Sequence, residues 1–159
     1  MVDIEILQTV SIAVASAGIF AAAIYYILQI RHQTRTRQTD LVMRLYSAFG
    51  SREFQEVTRR VVDVASKDYD TFLKKYGWTD VVQVGTFFEG IGVLLKRKLI
   101  DIELVDELFS EPLKSFWGKM KPMIEIDRKR FSQPRIFEWF EYLANEMQKR
   151  EQQPASRKA

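Results

Sequence analysis

From Ile6 to Ile30 the chain "ILQTVSIAVASAGIFAAAIYYILQI" carries no charge, and its apolar residues fall on every side of a helix rather than on one stripe. As a helix the segment rises about 37 Å, against a hydrocarbon core of roughly 30 Å. Gln8 and Gln29 fall near its two ends. Tyr25 and Tyr26 sit where amphipathic rings favour the membrane–water interface. A cleaved leader fits poorly, because no Lys or Arg precedes the run and the small-residue site Ala15–Ala17 lies inside it. The pattern predicts a transmembrane helix over 6–30, preceded by a short extracytoplasmic N-terminus at 1–5.

Past Ile30 the pattern changes twice. Residues 31–40 read as a basic juxtamembrane stalk containing Arg31, Arg35 and Arg37. Then Leu41, Val42, Leu45, Tyr46 and Phe49 recur at helical spacing as a single apolar stripe. No Gly or Pro interrupts 19–49, so one continuous helix is expected up to Gly50. Ser51 should open the next helix, with Phe54, Val57, Val61 and Val62 facing inward. A short helix near 70–76 should stop at Gly77. Thr79 or Asp80 opens the strongly apolar "VVQVGTFFEGIGVLLKRKLI", and Asp101 caps "IELVDELF". Glu111-Pro112 reads as the start of another helix, running through Trp117 towards Phe131. Ser132, Gln133 and Pro134 turn into "RIFEWFEYLANEMQKR", and 151–159 reads as a disordered tail. No stretch alternates like a strand. The expected fold is all-α: one N-terminal transmembrane helix continuing into a helical cytoplasmic domain over 41–150, a bundle of about five or six helices. Phe87, Phe88, Phe109, Phe116, Trp117, Phe131, Phe137, Trp139 and Phe140 are the expected core.

Charge fixes the expected orientation. Asp3 and Glu5 lie before the apolar run and Arg31, Arg35 and Arg37 after it, so the N-terminus should be outside and the domain cytoplasmic, in the cell membrane. The chain's 24 Lys and Arg nearly balance its 21 Asp and Glu, which argues against a broad basic field for nucleic acid. The arginine run also lacks interleaved aromatics.

Candidate chemistry is sparse. With no cysteine and the single histidine His32, thiolate chemistry and the usual zinc sites are excluded. Glu89, Glu125 and Glu138 have no His three residues on, so they do not form carboxylate di-iron pairs. "GTFFEGIG" lies within a helical stretch and has Phe-Phe where a phosphate loop needs small residues. No cofactor is expected. Glu89 is the carboxylate that looks out of place, sharing a helix face with Val82, Gly85 and Gly92. It reads as a buried or half-buried charge paired with an arginine such as Arg44, Arg60 or Arg128. A solvent-facing glutamate beside a helix crossing, or a functional acid, are the alternatives. The cationic runs Lys96–Lys98 and Asp127–Arg130 read as solvated helix ends; contact with lipid headgroups would require both to share one face. Ser11, Ala15, Gly18 and Ala22 line one face of the apolar helix and mark a possible helix–helix contact.

"TRQTDLVMRLYSAFGSREFQEV", "VGTFFEGIGVLLKRKLIDIELVDELF" and "FEWFEYLANEM" resemble the prokaryotic domain-of-unknown-function family of the 4760 type, over nearly the whole chain. The resemblance implies one N-terminal membrane helix joined to a small helical domain, and it brings no activity or catalytic residue. The expectation is a membrane-anchored interaction module, an accessory, adaptor or regulatory subunit without catalysis of its own. Its partners would be the bilayer and a membrane protein or second copy, not nucleic acid. The alternative is an enzyme or membrane-acting effector with an unrecognised site around Glu89.

Overall fold

A computed structural model describes residues 3–63 and 69–152. Six helices and no strand occur among the described residues: α1 (Ile4–Phe49), α2 (Arg52–Val62), α3 (Tyr69–Tyr76), α4 (Thr79–Lys96), α5 (Ile102–Arg130) and α6 (Glu138–Gln152). The all-α class, with a long apolar N-terminal helix continuing into a helical domain, is what the periodicity dictates. The chain divides into two compact units between Asp40 and Leu41.

In the first unit, α1 begins at Ile4, earlier than the expected boundary at residue 6, and passes through Gly18 and the arginines without a break. The described residues contain one helix long and apolar enough to cross a membrane, and it is this one. Its apolar side chains are bare, with Phe20 70% and Ile12 59% exposed. Two hydroxyls inside the run are satisfied within the helix: Thr9 donates to the Glu5 carbonyl at 2.8 Å and Ser11 to that of Leu7 at 2.8 Å. A hydroxyl bonded back to its own helix avoids the penalty of an unpaired polar group in hydrocarbon.

The second unit is built on an aromatic core. Val42 buries the end of α1, and Phe49 packs on Phe87, Phe88, Phe109 and Phe116 with ring centroids 5.7–6.4 Å apart. Phe88 stacks on Phe140 at 4.8 Å. Of the expected core aromatics, Phe88, Phe109, Phe116 and Phe140 are buried, while Phe87, Trp117 and Phe137 pack on the core's edge. Phe131 departs from expectation at 47% exposed, leaning on Trp78 just past the end of α5. Trp139 is half-buried and lies outside the core, because it faces the end of α4.

Local chemistry explains the starts and stops. Ser51 Oγ accepts from the Phe54 N–H, and the Asp101 carboxylate accepts from the Glu103 N–H at 2.9 Å. Gly77 takes a left-handed φ of +76° that lets the chain turn out of α3. Four expected boundaries move. Helix α5 does not restart at Pro112 but runs unbroken from Ile102 to Arg130. Its buried stripe, Val105, Phe109, Leu113, Phe116, Met120 and Ile124, keeps phase across the proline, so packing outweighs the one backbone hydrogen bond that Pro112 removes. Helix α4 ends at Lys96 rather than near Ile100, because Ile100 turns back into the core at 3% exposure. Helix α6 starts at Glu138, three residues later than Arg135, because Phe137 adopts a left-handed φ of +53°. At its far end α6 takes in Glu151 and Gln152, shortening the expected tail; 153–159 lie outside the described residues.

Candidate functional site

The out-of-place carboxylate joins α4 to α6. Gly85, Glu89 and Gly92 recur at i, i+4 and i+7, so they form one ridge, and the two glycines leave a trough in it. The α6 entry fills that trough. A methyl group at Gly85 would lie 2.5 Å from Phe137 Cε1, and one at Gly92 would lie 2.6 Å from the Trp139 carbonyl carbon. Each glycine is required by close approach, which offsets its helix cost of about 1 kcal/mol. Between them Glu89 Oε2 accepts the Phe140 N–H at 2.7 Å, with the Trp139 N–H as a further donor. A side chain from α4 thus caps the first turn of α6, whose exposed N–H groups and positive dipole end favour a carboxylate. Burial pushes the Glu89 carboxyl above its ordinary range, and the two backbone hydrogen bonds pull the other way.

The expected arginine partner is therefore replaced by backbone. Arg60 goes to Asp80, Nε to Oδ2 at 2.6 Å, tying α2 to the start of α4. Arg128 bridges to Glu141 at 2.8 Å and donates to the Ile136 carbonyl at 3.0 Å, holding the α5–α6 turn.

A fully buried carboxylate was hidden inside a charge run. Asp127 Oδ2 accepts from the Tyr69 hydroxyl at 2.6 Å and from Trp78 Nε1 at 3.0 Å, so α5 secures α3 and the α3–α4 turn. Burial, followed by the hydrogen bond to Asp127, raises the Tyr69 hydroxyl well above its ordinary pKa. Oδ1 of Asp127 lacks a hydrogen bond, and Arg130 NH1 stands 3.8 Å from it. The signal was available: Asp127 continues the stripe of Met120, Met123 and Ile124 at helical spacing, placing it on the buried side.

One sizeable groove, of about 830 Å³, opens beside α2 and α5. Phe49, Val62, Pro112 and Phe116 give it an apolar floor, while Arg52, Glu56 and Arg59 stand on the rim. Arg52 and Glu56 pair at 2.9 Å. Its size suits a ligand or a partner side-chain cluster, yet it holds no nucleophile–base pair. Among the described residues no group of three or more His, Cys, Asp or Glu side chains is placed to hold a metal ion. His32 is exposed on α1, as are Arg31, Arg35 and Arg37. Ser11, Ala15, Gly18 and Ala22 are likewise exposed, and a methyl group on Gly18 would touch nothing within 4 Å.

These features define a helical domain with one spanning-length apolar helix before it and structural carboxylates inside it. The chain belongs to the DUF4760 family, described as a domain of unknown function, whose model matches residues 12–147. No curated protein and no solved structure matches it.

Proposed function

We propose that the protein is a membrane-anchored interaction module, an accessory, adaptor or regulatory subunit of a membrane-associated complex without catalysis of its own. The observation that carries the reading is the bare apolar surface of α1. Residues 6–30 expose apolar side chains on every side, and a side chain the size of Leu or Phe gains about 1.5–3 kcal/mol on leaving water. A bilayer satisfies such a surface. Arg31, Arg35 and Arg37 then stand on the cytoplasmic side, with Asp3 and Glu5 outside. The enzymatic alternative centred on Glu89 is disfavoured by what that carboxylate touches: it is engaged with α6 backbone.

The small face of Ser11, Ala15, Gly18 and Ala22 is where a second helix, from another copy or a larger complex, would approach in lipid. Close backbone packing replaces the hydrophobic drive that is missing there. Gly18→Leu keeps the segment apolar while filling that face. Cross-linking in native membranes should show partnered species for the wild type and lose them for the variant. Identical species in both would remove this face and shift the interaction to the helical domain.

A further inference from the structure

The turn between α4 and α5 gathers three cations that no carboxylate neutralises among the described residues. Lys96, Arg97 and Lys98 make no ion pair among the described residues. The other cationic run differs. Arg128 is committed to Glu141, Arg130 to Asp70 at 2.5 Å, and Asp127 is buried. The two runs lie at opposite ends of α5, whose length corresponds to a rise of about 43 Å. They therefore do not share one face, and among the described residues all three cations of the first run are without an ion pair, against Lys129 alone in the second.

The free run is held in a defined shape. Lys98 sits at a left-handed φ of +57°, where helices usually place glycine. Its N–H bonds the Leu95 carbonyl and that of Leu99 bonds Leu94, both at 2.9 Å. This geometry leaves Leu99 50% exposed at the tip while Ile100 is buried. Lys96 Nζ stands 5.1 Å over the Tyr142 ring, and Lys96, Arg97 and Trp139 border a notch of about 120 Å³. Cations and an exposed leucine on one turn, with the half-buried Trp139 indole of α6 beside them, suit the interface of an anionic bilayer, where phosphates meet the first methylenes.

The turn's place within the helical domain fits this use. Tyr46 meets Phe109 at 5.9 Å and Phe49 meets Phe116 at 6.4 Å, so the end of α1 runs beside α5 in the same sense. Leu41 therefore enters this unit at the end where α5 begins, the end that carries the turn.

We propose that the Lys96–Leu99 turn, with Trp139 beside it, docks the helical domain on anionic phospholipid headgroups of the membrane that holds α1. The inference rests on the anchoring proposed above, which confines the domain to a bilayer. Charge complementarity selects the occupant. A single-stranded nucleic acid would instead call for a series of stacking rings along a basic groove.

Because the chain has no cysteine, one can be placed at will for an environment-sensitive fluorophore. Glu103→Cys, on the exposed first turn of α5, reports the turn, and Gln133→Cys at the far end is the control. The full chain is reconstituted in phosphatidylcholine vesicles with or without phosphatidylglycerol. The probe at 103 should shift to apolar emission only in the anionic vesicles, and the probe at 133 should stay aqueous in both. Arg97→Gln and Lys98→Gly should each lower the docked-to-free ratio roughly five-fold. Lys98→Gly relieves the left-handed backbone, so misfolding does not account for its effect. Aqueous emission at 103 in both vesicles, with the chain floating in the lipid fraction, overturns the docking and leaves the anchor standing. A chain that does not float with the vesicles overturns the anchor itself. An equal response in detergent to inorganic phosphate or to a short single-stranded RNA overturns lipid as the occupant.

Discussion

Replacing Glu89 by alanine tests the joint between α4 and α6. The substitution removes the acceptor for the Phe140 N–H and the further Trp139 interaction, at a half-buried helix start. Loss of an N-terminal cap costs about 1 kcal/mol, and leaving a partly buried donor unpaired adds on the order of 1 kcal/mol, so about 2 kcal/mol is expected in all. For a domain of this size that lowers the Tm by about 10 °C. Glu89→Gln retains an acceptor oxygen and gives up a charge that burial disfavours, so it should stay within about 1 kcal/mol of wild type at neutral pH. The sign with pH follows from the raised carboxyl. The folded state holds its proton more tightly than the unfolded chain, so the contribution is fully present below the ordinary range near 4.5 and is lost as pH rises through the elevated folded value. Wild type should therefore gain on Glu89→Gln as the solution is acidified. Circular dichroism melts of the full chain in mild detergent, with hydrogen exchange at Phe140, read both effects. An unchanged melt for Glu89→Ala, or an exchange rate at Phe140 unaffected by it, refutes the cap.

Gly92→Ala should destabilise by about 3 kcal/mol, since the added methyl meets the Trp139 backbone, and the melt should fall further than for Gly85→Ala, where a Phe137 ring can yield. Tyr69→Phe and Asp127→Asn should each cost about 1–2 kcal/mol and their double variant less than the sum, because both act on one hydrogen bond; additive melts would contradict it. Lys98→Gly should raise stability by about 1 kcal/mol by relieving the left-handed φ, and a lower melt would show that the Lys98 side chain matters to the fold.

The parts of the fold that were legible in the sequence are those set by neighbours along the chain. Ser51 and Asp101 cap the helices they precede, Gly77 ends α3, and the uncharged run before Arg31 is helical throughout. What escaped depends on distant residues. Pro112 looks like a start until the stripe on both sides of it is seen to pack on one core. Lys98 occupies a position where glycine would have announced the stop, so α4 looked longer than it is. Glu89 was marked as unusual by its two glycines, but its partner is a backbone amide 51 residues on, and a backbone donor leaves no trace in side-chain pattern. Asp127 was misread for the opposite reason. Three cations beside it suggested solvent, although its helical phase put it against Tyr69.

Carbonate extraction of membranes carrying the full chain tests the central claim most directly. If the uncharged run from Ile6 to Ile30 spans the bilayer, the chain stays in the pellet at alkaline pH. A shortened chain beginning at Arg37 moves to the supernatant and remains helical by circular dichroism. Full-length protein in the carbonate supernatant would contradict the account.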